Sequence, residues 1–317
     1  MNIGLDMMGG DFAPLEAIKG INLLREANPG TADAQPTLTL FGDEAQIAAL
    51  LVEQGVDMNG IKIVHTTQII DMHEHPTKAF REKQDSSIAV GFGYLAKGLT
   101  DAFISAGNTG AMMVGSLFSI KAIEGIHRPT IGAYMPRENG QLGCLLDVGI
   151  NSDCKPENLV QFALLGSIFA EQVLNIPNPK VGLINIGEEE GKGNLLAQAA
   201  YPLLKEAEGI NFIGNIEGRD IFLDKSDVMI CDGFTGNVML KLAETFYILT
   251  LKKGFKDEFF DRFNYEQYGG SPILGVNAPV IIGHGISSPE AIKNMILLSK
   301  TMIESKLVDK IKAAFTS

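Results

Sequence analysis

Short apolar runs alternate along the chain with longer stretches whose apolar residues recur at helical spacing. The runs at 3–5, 38–41, 61–64, 102–104, 131–135, 142–146, 181–184, 211–213, 228–231 and 280–282 are nearly continuous in hydrophobicity, as strands covered on both faces are. The stretches 14–27, 43–54, 78–97, 108–121, 157–174, 194–207, 235–262 and 288–313 predict helices. Strand and helix in alternation predict an α/β fold, a mostly parallel sheet with helices on both faces. Two places break the rhythm. Asn139–Gly140, between two apolar runs, predicts a hairpin turn. The segment 235–278 opens with an aromatic-rich helix, ends near the polar turn NYEQYGGSP, and predicts a protruding helical region. With no repeat, low-complexity tract or evident linker, residues 1–317 read as one compact domain.

Charge and cysteine usage narrow the class. A formal net charge of −12 speaks against a nucleic-acid partner, because phosphate backbones call for basic surface. Cys144, Cys154 and Cys231 are an odd set without CxxC spacing, which fits neither a disulfide framework nor a zinc site and points to a reducing cytoplasm. They read as small core residues. The chain begins with a very short apolar run and then a polar turn, unlike a signal peptide, and no apolar stretch is long enough to span a bilayer. A soluble protein is expected, with surface association at a membrane left open.

The polar signals share one position: after a predicted strand and before a helix. They are 6-DMMGGDFAP-14, 105-SAGNTGA-111, 147-DVGINSDCKP-156, 185-NIGEEEGKGN-194, 232-DGFTGN-237 and 283-GHGISSPE-290. In an open parallel sheet such loops gather at the carboxyl ends of the strands and form the ligand crevice. SAGNTGA lacks the lysine of a P-loop and the spacing of GxGxxG. Ser105, Asn108 and Thr109 at a helix start can hold a phosphate, or Asn108 can simply cap the helix. Ser287 with Glu290 fits a capping box, and His284 is either an acid, base or donor or a histidine bonded to backbone. Arg81 and Lys83 cluster near Ser86 and Ser87 after the irregular 65-HTTQIIDMHEHP-76, either as part of a lid or as a solvated helix face. Glu188, Glu189 and Glu190 argue that the 185–194 loop is no simple phosphate cradle.

Taken together, DMMGGDFAP, the RxKxDSS run ending at Ser87, SAGNTGA, LLDVGIN, NIGEEEGKGN, CDGFTGN and GVNAPVIIGHG resemble the acyl-ACP:phosphate acyltransferases of the PlsX family. The resemblance runs in order from about Ile3 to the final helix; Ile150 and Ala278 stand where smaller residues are expected. It implies a fold like phosphotransacetylase and the isocitrate/isopropylmalate dehydrogenase group. It implies transfer of a long-chain fatty acyl group from acyl carrier protein to inorganic phosphate, giving the acyl phosphate used in the first acylation of phospholipid synthesis. It further implies no cofactor and no metal, a homodimer, and a cytoplasmic enzyme associated peripherally with the inner face of the membrane.

Phosphate is itself the nucleophile in that reaction, which suits a chain without a G-x-S-x-G elbow. The reading assigns phosphate to Ser105, Asn108, Thr109 and Lys192, with Arg81 or Lys83 closing over it. Asn185, Asn194 and Asn237 are candidate oxyanion or pantetheine-amide donors, His284 is a candidate proton donor, and the three glutamates are expected to orient Lys192 and neighbouring amides. Lys252, Lys253, Lys256 and Arg262, interleaved with Phe255 and Phe259, suit an acidic carrier protein or anionic lipid, or else a helix packed on its twin in a dimer. A phosphotransacetylase using short acyl-CoA and a non-catalytic acyl-binding scaffold are the alternatives. A dehydrogenase of the same fold group would want an aspartate metal cluster and a nucleotide fingerprint, and neither is evident.

Overall fold

The computed structural model describes residues 1–27 and 35–316. In chain order the elements are β1 (Asn2–Asp6), α1 (Leu15–Ala27), β2 (Thr37–Gly42), α2 (Glu44–Glu53), β3 (Ile61–His65), α3 (Pro76–Glu82), α4 (Ser87–Ala96), β4 (Ala102–Ser105), α5 (Thr109–Gly115), β5 (Thr130–Pro136) and β6 (Leu142–Leu146). There follow α6 (Pro156–Gln172), β7 (Lys180–Asn185), α7 (Leu195–Glu206), β8 (Asn211–Glu217), β9 (Val228–Ile230), α8 (Gly233–Lys253), α9 (Glu258–Asp261), β10 (Ser271–Leu274), β11 (Val280–Ile282), α10 (Pro289–Glu304) and α11 (Leu307–Thr316).

Each of the ten apolar runs forms a strand, and β10 is an addition. Three long predicted helices divide. The 78–97 stretch stops after Glu82 and restarts at Ser87, because the Ser86 hydroxyl accepts from Ala89 N at 3.3 Å and caps a new helix. The 235–262 helix ends where Gly254 turns left-handed, and 288–313 breaks at Lys306, also left-handed with φ 54°.

The chain divides into two compact units: Met1–Ala122 with Glu266–Pro272 and Val276–Glu304, and Ile123–Tyr265 with Ile273–Gly275 and the segment from Ser305 onward. The first two crossings between the units fall in KAIEG and NYEQY, which no Pro-, Gly- or Ser-rich linker marks.

The first unit carries an all-parallel sheet ordered β3-β2-β1-β4-β11. Consecutive residues of β2 and β4 are buried, Leu38 to Phe41 and Ala102 to Ile104, so both faces of these strands are covered. Phe103 of β4 meets Phe92 of α4 edge-on at 5.0 Å between centroids. On the other helical layer α1 packs on α10, with Gly20 set against Ile292 and the Pro289 carbonyl. Strand order changes direction at β1, which places the loops after β1 and β4 at the switch point of the sheet.

After α5 the helix widens into a π-helical turn at Ser116–Ile120 and ends at Lys121, φ 65°. Asn277 locks this exit: its amide shares two hydrogens among the carbonyls of Ile120, Lys121 and Ala122, at 3.1, 3.2 and 3.0 Å. Asn277→Ala is expected to lower stability by about 2 kcal/mol, since it removes the side-chain donors from the Ile120 and Ala122 carbonyls and leaves the Lys121 carbonyl only the backbone N–H of residue 277. Asn277→Asp, which keeps the shape but loses the donors, should fare no better in urea unfolding.

In the second unit the order is β10-β5-β6-β9-β7-β8, the first two pairings antiparallel and the rest parallel. The expected hairpin is β5–β6, turning at Gly140 with φ 85°. Phe162, Leu165 and Phe169 of α6 are buried in this unit, and α11 packs on α6. Among the described residues no helix is long and apolar enough to cross a membrane.

Candidate active site

The six polar loops gather three within each unit. In the first, the register Leu5↔Ile104 sets Asp6 beside Ser105 at the ends of β1 and β4. The Ser105 hydroxyl donates to Asp6 Oδ2 at 2.6 Å and accepts from Gly107 N at 2.9 Å, while Asp6 Oδ1 accepts from Met8 N at 3.0 Å. Burial pushes the Asp6 carboxyl above its ordinary range, and hydrogen bonds from Ser105, Ser87 and the Met8 and Gly9 amides oppose that without cancelling it. The loop after β11 joins the pair through Asp11 N donating to Gly285 O at 2.7 Å.

Ser105 is therefore fully buried with its hydroxyl engaged. Asn108 caps α5 by accepting from Ala111 N at 3.0 Å, and its amide donates to the carbonyls of Asp71, Met72 and Glu74. Lys83 holds the same segment, with Nζ 2.6 Å from both Ile69 O and Glu74 Oε2; the Lys83 hydrogen bond draws the Glu74 carboxyl below its ordinary range. Asn108 and Lys83 thus fasten the 69–74 loop, and Thr109 and Arg81 are the exposed members of the predicted set. His284 is half-buried after β11, its carbonyl accepting from Ser287 N at 2.9 Å. The predicted capping box at Ser287 and Glu290 is not formed. Pro289 opens α10, so Ser288 is the cap, accepting from Ala291 N at 3.4 Å, and Glu290 pairs with Lys293.

In the second unit Asp147, fully buried after β6, organises a second set of loops. Its carboxylate accepts from Ile131 N, Asn151 N and Asn151 Nδ2 at 3.2, 2.6 and 2.8 Å. The start of α8 presses directly on this loop: a Cβ on Gly236 would collide with the Asp147 carbonyl, and the neighbouring Asn237 donates to Val148 O at 3.0 Å. A glycine is required there by space alone.

The 185–194 loop is held by its asparagines. Asn185 donates to Lys192 O at 3.1 Å, Asn194 caps α7 by accepting from Ala197 N at 2.9 Å, and Gly193 sits at φ 95° with no room for a side chain beside Asn185 Oδ1. The glutamates do not orient Lys192 as expected. Glu188 pairs with Lys225 and Glu190 with Lys205, each at 2.6 Å, and Asn215 donates to the Glu189 carbonyl at 2.8 Å. These partners lie on neighbouring elements, so the triplet staples the loop to its own unit. Lys192 is exposed, and among the described residues no carboxylate lies within ion-pair distance of its ammonium. Beside this loop lies a pocket of ≈ 390 Å³ between α6, the end of β7, the start of α7 and the end of β9.

Two members of the predicted carrier or membrane patch have other work. Arg262 donates to the carbonyls of Arg137 and Gln141 at 2.8 and 2.6 Å, tying α9 to the β5–β6 hairpin. Phe259 joins Phe222, Phe246, Phe260 and Phe263 in an aromatic cluster with centroid distances of 5.1–6.4 Å. A helix rich in aromatics buries the side that finds other rings, and Phe222 is the partner sequence does not reveal. Lys252, Lys253, Lys256 and Phe255 are exposed. Sequence reasoning also passed over Asp6 and Asp147; the available signal was a carboxylate directly after a continuous apolar strand, in GLD and LLD.

Comparisons with known proteins show the family and the fold. The family model described as "Fatty acid synthesis protein" matches residues 1–259 and 245–310. The phosphate acyltransferase of Desulforamulus reducens is 44% identical over 332 residues, covering 98% of this chain and 96% of that protein. That of Dictyoglomus turgidum is 41% identical with the same coverage. Among solved structures, a phosphotransacetylase from Streptococcus pyogenes superposes with TM-score 0.68 at 18% identity, over 96% of this chain and 94% of that one, which bears out the expected fold. By the family model and by these near-full-length identities, the chain belongs to the phosphate acyltransferase family.

Proposed function

We propose that the protein transfers a fatty acyl group from a thioester on acyl carrier protein to inorganic phosphate, feeding phospholipid synthesis. The observation that carries this reading is the near-full-length identity to proteins named phosphate acyltransferase. The loops at the strand ends support it. A phosphate oxygen attacks the thioester carbonyl, the new C–O bond forms as the carbonyl opens to an oxyanion, and collapse breaks the C–S bond. The products are an acyl phosphate and a thiolate. A thiol of pKa about 8.5 leaves without obligatory protonation, so His284 is assigned an assisting role only. No enzyme nucleophile enters the sequence of bonds, and catalysis rests on positioning and preorganised donors. Within the first unit the exposed donors assigned to phosphate are Arg81, on α3, and Thr109, which opens α5, with Ser105, Asn108 and Lys83 fixing the neighbouring loops; within the second it is Lys192, with Asn194 and Asn237 shaping the adjoining loops.

The test is consumption of acyl-ACP with and without phosphate, trapping acyl phosphate with hydroxylamine, beside matched acyl-CoA and acetyl-CoA reactions. Phosphate-dependent hydroxamate from long-chain acyl-ACP is expected. Product from acetyl-CoA alone would move the protein to short-chain phosphotransacetylation.

For partners, the exposed Val238, Leu242 and Leu249, at helical spacing on α8, are assigned to a second copy of the chain. The end of α8, where Leu251 and Phe255 stand exposed among Lys252, Lys253 and Lys256, is assigned to anionic lipid. Reversing charge with Lys252→Glu and Lys253→Glu should weaken binding to phosphatidylserine-containing vesicles roughly thirtyfold or more, at about 1 kcal/mol per basic residue. Equal co-sedimentation of the double variant and the parent would remove this assignment.

A further inference from the structure

We infer that the ≈ 390 Å³ pocket of the second unit receives the hydrocarbon chain of the acyl donor and limits its length. The inference rests on the acyl-transfer reading and adds a site and a specificity to it.

Size and wall chemistry select this occupant. The volume lies in the range of small-molecule sites. Its inner wall is the hydrocarbon of Leu159, Leu183, Leu196 and Ala197 with the Cys231 side chain. Polar side chains also reach the pocket, and much of their bonding is directed within the loops. Asp232 accepts from Thr235 N and Thr235 Oγ at 2.9 and 2.8 Å, Asn194 Oδ1 is the α7 cap, and Asn185 bonds Lys192 O and Ile186 N. Among the described residues no lysine, arginine or histidine lines the pocket, so phosphate finds no cation there. What remains for a guest is mostly apolar contact, with the Asn194 amide and the Asp232 carboxylate as the polar groups.

The mouth points the same way. Ile186, Leu195 and Phe234 are 81%, 86% and 68% exposed. Ile186 lines this pocket, while Leu195 and Phe234 line the adjoining recess, which shares Asn194, Leu196, Asp232 and Thr235 with it. These three exposed apolar side chains flank two adjoining openings, which share Leu196 with the polar Asn194, Asp232 and Thr235. A flexible hydrocarbon chain covers such a rim and fills the interior together. Ala197 lines the wall from the first turn of α7, where its small side chain leaves the space open.

The experiment measures kcat/KM with butanoyl, octanoyl, dodecanoyl and hexadecanoyl donors, and binding of cis-parinaric acid, for the parent, Ala197→Phe and the rim variant Ile186→Ser/Leu195→Ser. Ala197→Phe is expected to lower the hexadecanoyl-to-butanoyl ratio by at least tenfold and to weaken cis-parinaric acid binding. The rim variant, altered only at exposed positions, should lower the ratio about tenfold by loss of apolar contact. If the parent turns over long chains with phosphate and neither variant changes the ratio, the pocket assignment is overturned. If the parent makes no acyl phosphate from any donor, the activity fails separately. Loss of cis-parinaric acid binding in Ala197→Phe would then still support the pocket, and unchanged binding would overturn it.

Discussion

Replacing Arg137 by methionine is expected to destabilise the second unit by about 3–5 kcal/mol, the cost of leaving a buried carboxylate without its cation. Arg137 is fully buried at the end of β5, with Nη1 2.9 Å from Asp224 Oδ1 and 2.7 Å from Asp227 Oδ1, and Nη2 donating to Gln141 Oε1 at 2.8 Å. The two aspartates do not weigh equally. Asp224 is 55% exposed and its pairing is screened by water, whereas Asp227 is nearly buried and also accepts from Lys180 N at 2.7 Å. Removing the guanidinium strands the Asp227 charge beside β7 and β9, and methionine fills the volume without meeting the charge. The urea midpoint of this unit should fall by on the order of 1–2 M. Arg137→Met/Asp227→Asn should recover part of that loss, because the stranded charge is gone, while Asp224→Asn alone should cost under about 1 kcal/mol. A midpoint for Arg137→Met equal to the parent's would show that the buried pair contributes nothing net, and the account of this hairpin would have to be abandoned.

Arg137 also shows where sequence reading stops. In PRENG, before a hairpin turn, an arginine reads as a solvated tip; its burial is matched by the nearly buried Asp227, far along the chain. The glutamate triplet is a second case. Its anions are evident in 185–194, but their partners Lys205 and Lys225 lie 15 and 37 residues away, with no local spacing that announces them. The strands, by contrast, were legible because a parallel sheet covered on both faces makes each strand a nearly unbroken apolar run. β10 escaped because Gly269 and Gly270 precede it, Gly275 follows it and Pro272 is one of its four residues, all of them turn chemistry. The loops at the strand ends were legible as loops and in their order. Which side chains in them face inward was not: Ser105 and Asn108 have the residue types of ligands and spend their hydrogen bonds on Asp6, Gly107 and the 71–74 carbonyls. A hydroxyl or amide beside glycines carries the same signature whether it binds a guest or fixes the loop.

Lys192→Ala is expected to lower kcat/KM for phosphate by about 10²–10³-fold, the loss that follows removal of one preorganised donor from an acyl-transfer site. The prediction rests on the proposed role of Lys192 and on the way its backbone is held. Asn185 fixes the Lys192 carbonyl, Lys192 N donates to Glu189 O at 3.1 Å, and Gly193 turns the chain at φ 95° immediately after it. Glu188 and Glu190 are engaged by Lys225 and Lys205, which spares Lys192 from neutralisation by its own loop. Because the side chain is exposed, its removal should change folding stability by less than about 0.5 kcal/mol, so lost turnover would not be lost fold. Lys192→Arg, which keeps the charge with a different shape, should retain more activity than the alanine variant. Lys225→Ala separates position from charge. It leaves Lys192 intact but releases Glu188, and it should raise KM for phosphate by a smaller factor as the freed carboxylate competes for the ammonium. If Lys192→Ala leaves both kcat and KM for phosphate unchanged, the cation at this loop has no part in holding the nucleophile, and the stapled glutamates are a purely structural device.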